Sequence, residues 1–311
     1  MTKSLLLFAA LVLNAPATWA QMGFGKPKDV AAVKSQPLVV ALKDEDPSQL
    51  KKLAKKPDEL AEYKAYIADY NARMQELAPK LWQFSPSVEF KQESELPALR
   101  KAKGPQRGVL RHLNFVLSAH TGGVGNRLGG FSYQSEQVSA LVVEVMGNGD
   151  QHQVWRVQLA PGPVYTSDII FSLKGMQTYL QARADGRKGD DMREELAKNG
   201  KKLRTKTLLF DEADIKGKLT AADIKQAYPF PSQIVPRATI EAAAASADAR
   251  YACVRLLPAT ESIMVQAVFD TADGALLGIS KPNTVRLMGI GGGTAIGKGN
   301  LKDFAEAAGG K

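Results

Sequence analysis

Residues 141–159 read Leu-Val-Val-Glu-Val-Met-Gly-Asn-Gly-Asp-Gln-His-Gln-Val-Trp-Arg-Val-Gln-Leu, and this stretch decides the fold class. Leu141, Val143 and Val145 alternate with other residues at the period of a strand, and Gln153, Trp155, Val157 and Leu159 do the same after a break. The break is Gly147-Asn148-Gly149-Asp150, a strong hairpin turn signal. Pairing about that turn sets Val143 opposite Trp155 and Leu141 opposite Val157, so one register satisfies both strands.

Working outward, Val109–Ser118 also alternates, with Leu113, Phe115 and Leu117 expected on one face and His112 and Asn114 on the other. Tyr251–Leu256 and Thr205–Phe210 read as strands. Ile263–Phe269 is expected to pair with Ala275–Ile279 across Asp270–Gly274 in a second hairpin. Met176–Ala184 and Thr239–Ala247 read as helices, and Thr220-Ala221-Ala222-Asp223 is a capping box opening a short helix that ends at Pro229. A longer helix starts at Pro57, followed by Asp58 and Glu59 at its positive end. Leu60, Tyr63, Ile67, Tyr70, Met74, Leu77 and Leu81 then recur at steps of three and four. The short seam and its tyrosines suit a helix laid on its own sheet better than a coiled-coil partner helix.

The strong turns join antiparallel neighbours and no regular alternation of strand and helix appears. The expected fold is therefore α+β: an antiparallel, hairpin-rich sheet packed by a long N-terminal amphipathic helix and shorter helices. The expected organisation is a signal peptide over 1–20, a lead-in over 21–56 holding a short strand at Pro37–Leu42, and a helix-plus-sheet domain over 57–200. A smaller α+β region over 201–288 and a glycine-rich tail over 289–311 follow. Residues 84–108 read as a basic connector, and no sequence repeat is evident.

The first twenty residues carry an export signal: Lys3, an apolar core from Leu5 to Leu13, and small residues up to Ala20. The core falls short of the roughly 20 apolar residues that a spanning helix needs. The mature chain is expected to begin near Gln21, without a transmembrane segment, in the periplasm or outside the cell. Lipid anchoring would need a cysteine at the cleavage point, and the single cysteine is Cys253, inside a strand-like run. One cysteine also leaves no intramolecular disulfide, so the expectation is a small core residue in a fold held by packing.

A hydrophobic share of 44% with 23% charged residues is that of a folded globular chain. The formal net charge of +9 gathers in three clusters, Lys51–Lys56, Arg100–Arg111 and Lys198–Lys206. They would suit an anionic surface, but they lack the interleaved aromatics of a single-strand nucleic-acid binder.

Several motifs approach a known chemistry and stop short. Gly292–Gly299 nearly spells a phosphate-binding loop, but Gly299 stands where a hydroxyl must hold magnesium. Glu212–Asp223 imitates a calcium loop, with Lys216 at a ligand position. Ser48-Gln49-Leu50-Lys51 matches S-x-x-K without its supporting elements. His112, His120 and His152 show no metal spacing, although His112 and His152 are expected to share a solvent-facing sheet surface. The most unusual stretch is His120–Gly130, in which Gly123, Gly125 and Arg127 could cradle an anion through backbone N–H groups. No cofactor or metal is expected. The reading is an exported, non-enzymatic binding or envelope-interaction protein with an envelope or extracellular ligand. The alternatives are an extracytoplasmic hydrolase and an anionic-surface adhesion protein.

Overall fold

Leu141 does lie opposite Val157 and Val143 opposite Trp155. Asn148 and Gly149 both adopt positive φ, 58° and 89°, which closes the two-residue turn with the twist its strands need. Their N–H groups donate to the carbonyls of Ala102 and Arg100 at 2.8 Å, so the turn is docked rather than free. A bulge after Val143 leaves Val154 as the extra residue, buried in the core.

The computed structural model describes residues 25–120, 133–159, 162–187, 189–215, 219–260, 263–281 and 295–309. Its order is α1 (Pro27–Ser35), β1 (Leu38–Leu42), α2 (Pro47–Leu53), α3 (Pro57–Leu81), β2 (Val88–Gln92), α4 (Leu96–Lys101), β3 (Arg107–His120), β4 (Tyr133–Gly147) and β5 (Asp150–Leu159). Then come α5 (Thr166–Ala184), α6 (Gly189–Gly200), β6 (Thr207–Asp211), α7 (Ala221–Ala227), β7 (Ser232–Val235), α8 (Arg237–Ala245), β8 (Tyr251–Thr260), β9 (Ile263–Asp270), β10 (Leu276–Ile279) and α9 (Lys298–Ala307).

The fold is α+β with two five-stranded mixed sheets, ordered β2-β1-β3-β4-β5 and β7-β6-β8-β9-β10. The two orders are the same when strands are counted within each half. In both, the first strand pairs in parallel with the second and third, and the third, fourth and fifth form an antiparallel meander. The chain thus repeats one topology without repeating a sequence. In the first half α1, α3 and α5 cover one face of the sheet, and Leu96 of α4 packs on the other with Val39, Ala41 and Val109. In the second half α7 and α9 cover one face while α8 and part of α5 cover the other.

The short strand expected at Pro37–Leu42 is present as β1, a fully buried inner strand, because its run Leu-Val-Val-Ala-Leu is apolar on both faces. The structure corrects three expectations. Residues 84–108 are not only a connector, since the half-exposed, charged sequence Val-Glu-Phe-Lys-Gln forms the edge strand β2. Each sheet carries parallel pairs that the turn signals did not announce. Finally, residues 289–311 are not wholly a loose tail. Residues 282–294 lie outside the described residues, but α9 buries Leu301, Phe304 and Ala305 against the second sheet, and Ala308 just after it joins them.

Two outcomes test this packing. Phe304→Ala should cost about 3–5 kcal/mol in denaturant unfolding, as for a large core aromatic, where a tail residue would cost almost nothing. Cys253 is fully buried and its thiol is pushed up to about 12 by desolvation. It should react with a thiol reagent only as the chain unfolds.

Candidate functional site

Helix α5 is buried nearly all round its first turns, from Ser167 to Leu173, as a helix enclosed on every side should be. Ile169, Leu173 and Met176 enter the core of the first sheet, while Ile170 and Phe171 enter a core of the second. Between the two halves, beside this helix, lies a partly open cleft of about 210 Å3. Its walls are β5, α5, α6 and the meander β8–β10.

Two aromatic stacks line the cleft. Trp155 of β5 lies on Tyr179 of α5, with ring centres 3.7 Å apart and 18° between planes. Phe171 of α5 lies on Phe269 of β9 at 4.6 Å and 10°. Met192, Leu196, Val265 and Leu276 extend the apolar lining, and a Cβ at Gly175 would meet nothing within 4 Å. The Nε1 of Trp155 is buried and donates to no partner. Polar groups also reach the cleft, among them Arg156, Gln158, Glu195 and Asn199. Glu195 is paired with Arg187 at 2.7 Å, and burial draws the Arg156 guanidinium pKa downward. The lining therefore offers stacking surface, apolar contact and a few polar groups that fix orientation, the usual make-up of a small-molecule site.

A buried polar network lies at the start of α5 and joins the halves. Asp168 pairs with Arg255 of β8, both almost fully buried. The backbone N–H and hydroxyl of Ser167 donate to Glu241 of α8 at 2.8 and 2.7 Å. Arg237 and Arg255 both stand over the ring of Tyr165, at 5.3 and 5.5 Å. Arg237 also holds Asp211 at 2.5 Å and Asp214 at 3.0 Å. Burial raises the Asp214 carboxyl pKa, with Arg237 opposing. The carboxylates of this network are all engaged, so it reads as a latch between the halves rather than as a reactive centre.

None of the described residues singled out from sequence as site candidates lines the cleft. Gly123, Gly125 and Arg127 lie outside the described residues, as do residues 1–20. His112 does not face solvent: it is opposite Leu141 on the buried face and its ring is 5.6 Å from Tyr70 of α3. Leu110 and His112 share the face of β3 that the helices cover, so the polar side expected for His112 is a buried one. His152 pairs with Val145, four residues along β4 from Leu141 and on the opposite flank, about 13 Å away along the strand. The two histidines do not meet. Ser48 and Lys51 are exposed on the seven-residue helix α2, whose Asp46 caps the Ser48 N–H. The Thr220 capping box is present, with Asp223 N–H donating to Thr220 at 3.2 Å. Many basic residues of two clusters are engaged internally: Arg107 with Glu89, Arg111 with Glu144, and Lys202 and Lys206 with Asp270.

Among the described residues no helix is long and apolar enough to cross a membrane, and no group of three or more His, Cys, Asp or Glu residues is placed to hold a metal. No family model matches the chain, and no curated protein or solved structure is significantly similar to it.

Breaking the latch should be costly. Arg255→Met leaves Asp168 buried without its partner, and unfolding stability should fall by about 3–5 kcal/mol. Chemical denaturation of the two proteins measures it, and a change below 1 kcal/mol would mean that solvent already screens the pair.

Proposed function

We propose that this chain is an exported, non-enzymatic binding protein whose ligand seats in the apolar cleft between its two halves. The observation that carries the reading is the pair of aromatic stacks, Trp155–Tyr179 and Phe171–Phe269, lining one cleft at the junction. A dry apolar cavity of about 150 Å3 is known to take benzene. A cleft of about 210 Å3 therefore suits a single aromatic ring or a short acyl chain. The unpartnered indole N–H of Trp155 adds a preference for a ligand that carries a hydrogen-bond acceptor. Support for export comes from Lys3, the apolar run Leu5–Leu13 and the small residues up to Ala20, and an exported chain would meet its ligand in the envelope or beyond.

Among the described lining residues no nucleophile is set beside a base, which supports binding over hydrolysis as the role of this cleft. The internal ion pairs of two basic clusters leave less free charge for adhesion to an anionic surface.

Thermal shift and tryptophan fluorescence test the reading, using short fatty acids and single-ring aromatic ketones on the chain from residue 21. In a Trp82→Phe background the emission reports Trp155. A ligand at a hundredfold excess over its Kd should stabilise the protein by about 2.7 kcal/mol and alter that emission saturably. Gly175→Leu fills the cleft and removes a helix-interior glycine, worth about 1 kcal/mol. It should raise the unfolding temperature and abolish both responses. Binding that survives this substitution would place the ligand elsewhere.

A further inference from the structure

The parallel strands β1 and β2 end side by side, Leu42 opposite Gln92, so that Lys43 and Glu93 emerge together at their carboxyl ends. The chain leaves these two ends for opposite faces of the sheet. From β1 it passes to α3, on the face with Leu110 and Leu141, and from β2 it passes to α4, on the face with Val39 and Val109. Such a divergence opens a crevice at the strand ends, and in sheets of this kind ligands bind there.

The same place exists in the second half, at the ends of β6 and β7, where α7 and α8 depart to opposite faces. There the chain fills it with its own charges: Arg237 reaches across to Asp211 and Asp214, and Asp211 also caps the Ala213 N–H. In the first half the corresponding groups are not matched. Tyr70 of α3 is completely buried and its hydroxyl has no hydrogen-bond partner. His112 of β3 is 4% exposed, and neither ring nitrogen has one. The Lys43 ammonium lies 5.2 Å over the Tyr70 ring and forms no ion pair among the described residues. Its backbone is fixed by Asn71, which accepts from the Lys43 N–H at 2.8 Å and donates to its carbonyl at 3.0 Å. Buried polar groups are paired as a rule, and the two unpartnered ones here, the Tyr70 hydroxyl and the His112 imidazole, with the half-buried Lys43 ammonium beside them and drawn toward Glu93, call at this switch point for a partner that the chain does not supply.

The neighbours define what that partner carries. Arg111 is held by Glu144, Arg73 by Asp69, and Asp44 accepts from the Ser94 N–H. Burial raises the Glu93 carboxyl pKa, with Lys43 and Arg111 opposing, and burial holds the His112 imidazole down to about 3, which keeps it neutral. What remains is an ammonium and a phenol that donate, with a carboxyl and one imidazole nitrogen that accept.

We propose that this crevice is a second ligand site, which takes a small carboxylic acid bearing a hydroxyl or amino group on the adjacent carbon. The ligand carboxylate pairs with Lys43 and accepts from the Tyr70 hydroxyl. An adjacent ammonium donates both to Glu93 and to the bare nitrogen of His112, whereas a hydroxyl, with its single hydrogen, donates to one of the two. Lys43 lies across the ring of Tyr70, so its flexible stem swings aside as the ligand enters.

Titration calorimetry of the chain from residue 21 with L-alanine, L-lactate, acetate and inorganic phosphate tests this. Alanine or lactate should bind saturably, and acetate, lacking the donor, about tenfold more weakly or worse. Lys43→Met should abolish the heat. Tyr70→Phe should weaken binding by about tenfold without lowering the unfolding temperature of the free protein, since it removes a hydroxyl that has no partner. Gly175→Leu, in the distant cleft, should leave this binding unchanged. The proposal is overturned if neither alanine nor lactate binds, if phosphate binds more tightly than both, or if Lys43→Met has no effect. A lower unfolding temperature for Tyr70→Phe would also overturn it, by showing that ordered water already satisfies the hydroxyl.

Discussion

Helix α5 has to satisfy two hydrophobic cores at once, and the arrangement of the rest of the chain follows from this. A helix at the surface of one sheet needs a single apolar stripe, whereas α5 presents Ile169, Leu173 and Met176 in one direction and Ile170 and Phe171 in another. Its first turn then carries Ser167 and Asp168 into the second half, where Glu241 and Arg255 receive them. The apolar contacts supply the bulk of the attraction between the halves. The buried ion pair fixes their register, since a misaligned helix would leave Asp168 and Arg255 desolvated and alone. The cleft is a by-product of the same geometry: β5 and β8 approach each other beside α5, and the space there is only partly filled by α6.

The two halves share a topology and differ in how they use it. Where strands diverge in the second half, Arg237, Asp211 and Asp214 close the crevice with ion pairs. In the first half, Tyr70, His112 and Lys43 occupy the comparable place and leave polar groups unmatched. Leaving such groups buried costs stability, so one half resembles a structural partner and the other the half in which a ligand would be accommodated.

Local rules account for the parts of the fold that could be read from the sequence. The hairpin over 141–159 is decided by a turn dipeptide and by alternation, both short-range, and its register followed without knowledge of the rest. The same holds for the Thr220 capping box and for the seam of α3, whose Ile67, Tyr70 and Met74 are buried. Non-local pairing was not legible. Strands β2 and β7 are short, half-exposed edge strands whose parallel partners lie beyond intervening helices, and nothing within them announces a strand. His112 misled because a histidine among apolar residues reads as the polar side of a strand, yet here it is neutral and packed on Tyr70. The cleft was invisible because its residues come from six elements, none carrying a motif; the one available signal was Ile169-Ile170-Phe171 in α5, three consecutive apolar residues that one helix face cannot hold. The glycine-rich stretch with Gly123, Gly125 and Arg127 lies outside the described residues.

The double duty of α5 also limits how this chain can vary. Each residue of a helix turns it by about 100°. One insertion between Phe171 and Leu173 would swing Leu173, Met176 and Tyr179 out of the first core while Ile169, Ile170 and Phe171 stayed in place. A surface helix absorbs such a phase error by rotating as a whole, but α5 is gripped from two sides and has no free direction in which to turn. Its length is therefore even less negotiable than its composition, and homologous chains should keep the number of its residues.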